Sequence, residues 1–162
     1  MKHLLWQEAA AFAAASHKNQ LRQDGRPYIS HCCRVAMTVH VLFGFDDQEI
    51  LAASLLHDTI EDCEVDYDEL YEIFGQAVAD YVAVMSKDKR LEESIREISY
   101  DKQLAEGPWQ GRLIKLADVY DNFSDSPPER RAGFVDKVER ILVLTKEDEH
   151  LQDARKMLET LL

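Results

Sequence analysis

Residues 47–58 carry Ile50, Leu51, Ser54, Leu55 and His57 around nearly the whole circumference of one helix. A helix that is apolar all round has no face to give to water, so other elements must enclose it. The chain therefore has to build itself around this segment. Directly after it comes the densest polar cluster in the sequence, His57-Asp58-Thr59-Ile60-Glu61-Asp62.

The other segments supply helices to wrap it. Residues 4–19 are rich in Ala and Leu, with Leu5, Ala9, Phe12 and Ala13 on one face. A polar loop broken by Gly25 and Pro27 leads into 30–43, which stops at Gly44. Asp66 and Glu69 have the spacing of a capping box at the head of 66–74, and Gly75 separates that helix from 76–85. Segment 90–105 is charged and amphipathic and closes at Gly107-Pro108, and 110–123 follows around Leu113, Leu116 and Ala117. Ser126-Pro127-Pro128-Glu129 reads as an N-cap Ser, Pro in the first turn and an early acid, opening helix 128–144. A last amphipathic helix covers 147–161. No alternating strand or hairpin signal stands out. The expectation is an all-α, single-domain compact helical bundle over residues 1–162, a length that suits one domain of roughly 100–200 residues.

Charge and composition exclude several function classes. The chain has 31 acidic and 19 basic residues, a net charge of −12. Nonspecific nucleic-acid binding draws on a basic face, so a nucleic-acid polymer is not an expected partner. A small anionic ligand is not excluded, because a site feels local charge. No stretch approaches the roughly 20 apolar residues of a membrane span, and the N-terminus has no signal-like segment. Cys32, Cys33 and Cys63 are odd in number and make a poor disulfide framework, which fits a reducing cytoplasm.

If the helix continues through the polar cluster, His57 and Glu61, and Asp58 and Asp62, are i,i+4 neighbours. Three carboxylates so close repel one another unless a cation sits among them or water surrounds them. Taken alone, the cluster is equally well a solvated helix terminus. His31 and Asp118 change that balance. Each lies on a largely apolar helix, where a lone His or Asp is ordinarily a hydrogen-bonded core residue. Together with His57 and Asp58 they make two imidazoles and two carboxylates, a donor set suited to Mn²⁺, Fe²⁺ or a similar divalent ion.

The ordered set His31, His57-Asp58 and Asp118 resembles the HD-domain metal-dependent phosphohydrolases. The likeness extends to Arg22–His31, to Ala52–Asp62, to Phe74-Gly75 and to Lys115–Asn122, which look like the (p)ppGpp hydrolase domain of RelA/SpoT-type enzymes and its small stand-alone versions. It covers about residues 15–125. The resemblance implies an HD-domain helical bundle and one divalent ion held by His31, His57, Asp58 and Asp118. That ion is Mn²⁺ in this branch, with Fe²⁺, Zn²⁺, Mg²⁺, Co²⁺ or Ni²⁺ compatible. It also implies that Glu61 and Asp62 serve hydrolysis, and that Arg22 and Asn122 contact a small anionic nucleotide substrate. Four features depart from the pattern, one of them a short stretch between Ser86-Lys87 and Arg112. Cys32 stands where Pro is common, Gln23 replaces a residue that is often basic, and Val119-Tyr120-Asp121 precedes Asn122. No synthetase or regulatory segment follows the match, so hydrolysis alone is expected.

The expected chemistry is metal-assisted phosphate-ester hydrolysis, with Glu61 and Asp62 orienting water and passing a proton to the leaving oxygen, worth roughly 10²–10⁴-fold. Arg22, Arg26, Lys87, Lys89, Arg90, Arg112 and Lys115 are the candidates for anion capture. Arg22 ranks first, and Lys115 lies three positions before Asp118. Tyr28 reads as a packing residue, as does Cys63, which has no partner His at a telling spacing. Three functions compete: a guanosine-3′,5′-bis(diphosphate) 3′-pyrophosphohydrolase, an HD phosphohydrolase for another nucleotide or small phosphoester, and a non-catalytic metal- or nucleotide-binding module. Helices 128–144 and 147–161 lie beyond the match and either pack on the bundle, the preferred reading, or join two copies as a homodimer.

Overall fold

The apolar segment forms the helix that the others surround. In the computed structural model, which describes residues 4–162, α3 runs from Gln48 to Leu56. The first three residues, where the expected domain begins, lie outside the described residues. Asp47 caps α3, accepting from Glu49 N at 2.9 Å and Ile50 N at 3.0 Å. Ala52, Ala53, Ser54 and Leu56 have no exposure at all. Around α3 pack α1 (Leu5–Ser16), α2 (Ile29–Met37), α6 (Gln76–Met85) and α8 (Trp109–Asp125). Ala9 and Ala13 let α1 approach closely, and both are fully buried.

The helix does not continue through the acidic cluster. His57 and Asp58 form a break, after which α4 is a single turn, Thr59–Asp62. Thr59 Oγ1 donates to Leu56 O at 2.7 Å, ending α3 with a side-chain bond where the backbone ladder stops. The i,i+4 pairings of an unbroken helix are thereby replaced by two groups of side chains, one on each side of the break. The segment expected over 30–43 is likewise divided: α2 ends at Met37 and a π-helical turn, Thr38–Leu42, carries it to Gly44, which takes φ +78°.

Asp66 caps α5 (Tyr67–Phe74), accepting from Glu69 N at 2.9 Å as its spacing suggests. Gly75, at φ +86°, turns the chain directly into α6. Gly111 lets α8 meet α6 closely, since a Cβ there would run into Val84 Cγ1. Ahead of α8 lies α7 (Glu93–Glu106), and after it come α9 (Pro128–Leu144), a 3₁₀ turn at Glu149–Leu151 and α10 (Gln152–Glu159). Ser126 does not cap α9. Its hydroxyl donates back to Asn122 O at 2.7 Å and closes α8, while Pro127 takes the capping position. α9 packs on α8 and α7, and α10 on α8 and α9. Among the described residues the only extended pairing is an isolated bridge between Leu21 and Pro27, which closes the loop into α2.

Candidate metal centre and active site

Four polar side chains meet where α2, the end of α3 and α8 converge. His31 lies in the first turn of α2, His57 and Asp58 sit at the break after α3, and Asp118 is midway along α8. His31, His57 and Asp118 are all buried, and each offers one donor atom within 4.8 Å of the other two. Asp58 Oδ2 lies 3.0 Å from His57 Nε2 and 3.7 Å from His31 Nε2. Asp118 Oδ1 lies 3.2 Å from His31 Nε2. The sequence-predicted ligand set is thus brought to one point.

Each imidazole is turned by the bond behind it. Asp121 Oδ2 accepts from His31 Nδ1 at 2.6 Å, and Ser54 O accepts from His57 Nδ1 at 2.8 Å. Both acceptors lack a proton to give, so both Nδ1 atoms carry one, and both Nε2 atoms face the centre. His57 Nε2 is buried and faces Asp58 Oδ2 across 3.0 Å without a well-directed hydrogen bond. Burial works to lower the His31 imidazole, but Asp118, Asp121 and then Asp58 outweigh it and raise it to about 9. Burial works to raise the Asp58 carboxyl, yet His57 holds it down to about 2, and Lys115 and the imidazoles hold Asp118 well below its ordinary value. Two ionised carboxylates and two imidazoles demand positive charge at their centre. A divalent cation would fit that demand and the inward-facing Nε2 atoms together, in place of protons on the imidazoles.

Other predicted residues take up positions around this centre. Lys115 Nζ pairs with Asp118 Oδ2 at 2.8 Å. Asn122 Nδ2 donates to Asp118 Oδ1 at 2.6 Å, and Arg22 donates to Asn122 Oδ1 at 3.0 Å, so Arg22, Asn122 and Asp118 form a chain from groove to centre. Glu61 and Asp62 belong to the turn beyond the break. Glu61 accepts from Lys87 N at 3.0 Å and Asp62 from Lys89 Nζ at 2.5 Å. Three anion-capture candidates are engaged elsewhere, among them Arg26, which pairs with Asp24 and reaches Asp125 at 2.6 Å. Arg112 clamps Asp148 at 2.6 Å and the carbonyls ending α7, and Arg90 pairs with Asp88 on the surface.

The contacts of three residues are not foreseen in the sequence. Asp121, noted only as a departure in the motif, holds His31 and also accepts from Arg34 Nε at 2.6 Å. Tyr28 is more than packing, because its hydroxyl donates to Asp58 Oδ2 at 2.6 Å. Cys63 does have a histidine: its Sγ lies 3.3 Å from Nδ1 of His17, which stacks on Tyr28. Burial raises the Cys63 thiol, so it is not an activated nucleophile. A three-residue spacing on α8 could have flagged Asp121. Nothing local pairs His17 with Cys63.

An all-helical bundle that gathers a His, a His-Asp pair and a distant Asp at one buried point has the form of the HD-domain class. The chain belongs to that family, matching the HD domain over residues 9–142. It is 38% identical over 120 residues to the guanosine-3′,5′-bis(diphosphate) 3′-pyrophosphohydrolase MESH1 of Danio rerio, covering 73% of this chain and 67% of that one. The Drosophila melanogaster MESH1 is 29% identical over 156 residues, 95% of this chain and 83% of its own. A solved structure described as a metazoan ortholog of SpoT that hydrolyzes ppGpp superposes with a TM-score of 0.86 at 25% identity, covering 99% of this chain and 95% of that one.

Proposed function

We propose that this chain is a divalent-metal-dependent phosphohydrolase that removes the 3′-diphosphate from guanosine 3′,5′-bis(diphosphate), with Mn²⁺ as its ion. The observation that carries the reading is the convergence of His31, His57, Asp58 and Asp118 with the intact Glu61-Asp62 pair one turn away. A module that only sensed a ligand would have no need of the acidic pair. The similarity to named pyrophosphohydrolases supplies the substrate. We place the protein in the cytoplasm, in keeping with three free cysteines, and no helix among the described residues is long and apolar enough to cross a membrane.

His31, His57, Asp58 and Asp118 would hold the cation, which when bound supplies Lewis-acid activation of water and charge neutralisation at phosphorus. Asp121 and the Ser54 carbonyl keep the two imidazoles turned inward. Lys115 offsets the charge of Asp118, and Arg22 with Asn122 takes the nucleoside side of the substrate. Glu61 and Asp62 orient the attacking water and hold its proton. The P–O3′ bond breaks, O3′ takes a proton, and GDP and pyrophosphate result. Replacing Glu61→Gln or Asp62→Asn should lower turnover by roughly 10²–10⁴-fold while the metal stays bound. Turnover within a few-fold of wild type would remove the acid–base role.

A further inference from the structure

Three buried side-chain polar atoms lack a hydrogen-bond partner among the described residues: Gln48 Oε1, His57 Nε2 and the Tyr100 hydroxyl. The cation accounts for His57. Tyr100 has no such account. It lies on α7, is 4% exposed, and lines a cavity of about 140 Å³ beside Lys87, Lys115, Asp118 and Asn122. Lys87 Nζ stands 5.0 Å and Lys115 Nζ 5.5 Å from the centroid of its ring. Phenylalanine would pack as well and would spare the fold an unpaired buried hydroxyl.

The surroundings define what the hydroxyl is for. Burial pushes it up to about 12; Lys115 works against that, while Asp118, Glu61 and Asp58 lie near enough to add to it. It therefore keeps its proton and acts as a donor. The cavity also presents Lys137 and Arg140 from α9 and the carboxylates Glu97 and Asp101 of α7, which pair with Arg140, while Lys87 pairs with Glu97 at 2.6 Å. A protonated hydroxyl without a partner, on a ring that two ammonium groups approach and in a cavity beside the metal centre, suits an anionic oxygen acceptor.

We propose that Tyr100 is a substrate-binding residue whose hydroxyl donates to a phosphate oxygen of a diphosphate group seated in this cavity, flanked by Lys87 and Lys115. The proposal rests on the phosphohydrolase reading and deepens it. The group is either the departing 3′-diphosphate or the 5′-diphosphate that stays on the nucleoside. Both have the same chemistry.

The test is Tyr100→Phe in the Mn²⁺-loaded protein, titrated calorimetrically with inorganic pyrophosphate and, separately, with GDP. A hydrogen bond to a charged acceptor is lost, so affinity for at least one probe should fall about tenfold or more. A fall for pyrophosphate alone assigns the cavity to the departing group. A fall for GDP alone assigns it to the 5′-diphosphate. The melting temperature should hold or rise, because the variant removes an unsatisfied group. Unchanged affinity for both probes, no binding of either to wild type, or weaker binding with a lowered melting temperature would overturn the proposal. Turnover of the bis(diphosphate) by wild type, followed in parallel, reports on the parent reading independently of these binding results.

Discussion

Asp121 shows what a single buried carboxylate does at this site. It is 5% exposed, and burial alone would raise its carboxyl, but His31 and Arg34 outweigh burial and hold it below its ordinary value. The charge so maintained fixes the proton on His31 Nδ1 and frees Nε2 for the centre. Asp121→Asn should therefore weaken metal binding by roughly 10–100-fold in a calorimetric titration, with the helical content unchanged. Affinity equal to wild type would mean that α2 alone orients the ring. The convergence of the candidate ligands His31, His57-Asp58 and Asp118 was foreshadowed in the sequence, because they follow a family order. Asp121 and Tyr28 were not, since their roles are contacts with residues 90 and 30 positions away in the chain. Side-chain type says little about such partners.

The helices were legible where period and punctuation agree, as at α5 with its Asp66 cap or α6 after Gly75. Their ends are harder to read where a side chain competes with the backbone ladder. Thr59 ends α3 by bonding to Leu56 O, and Ser126 bonds back to α8 when the sequence pattern has it facing α9. The break at His57 sets His57 and Asp58 apart from Glu61 and Asp62, which belong to the following turn. A second feature at this scale is the clip between α7 and α9. Arg140 reaches Glu97 and Asp101 at 2.7 Å, and Lys87 reaches Glu97 at 2.6 Å. Burial would raise the Glu97 carboxyl, but Lys87 and Arg140 prevail and hold it below its ordinary value. A depressed carboxyl contributes stability that is full above the ordinary value of about 4.3 and is lost as pH falls through the lower folded value. Denaturant midpoints measured down through that range should fall more steeply for wild type than for Glu97→Gln. Parallel curves would show that the clip carries no linkage.

At the scale of the whole molecule, a net charge of −12 argues against a polyanion and leaves the local field free to do otherwise. The centre brings Asp58 and Asp118 together, while Lys87, Lys115, Lys137 and Arg140 line the adjoining cavity together with Glu97, Asp101 and Asp118 itself. On the proposed reading, a cation and a polyanionic nucleotide would take neighbouring places within an acidic protein. α9, which sequence reasoning left as a cover or a dimer surface, also supplies one wall of that cavity through Phe134, Lys137 and Ile141. Its place there was illegible because it depends on how α9 lies across α8. The most direct measurement of the central claim is pyrophosphate release from guanosine 3′,5′-bis(diphosphate) by metal-stripped protein as Mn²⁺ is titrated in. Release should be absent at the start, rise to saturation at one ion per chain, and be matched by an equal yield of GDP. Full occupancy of the metal site with no pyrophosphate released above the chelated control would contradict it.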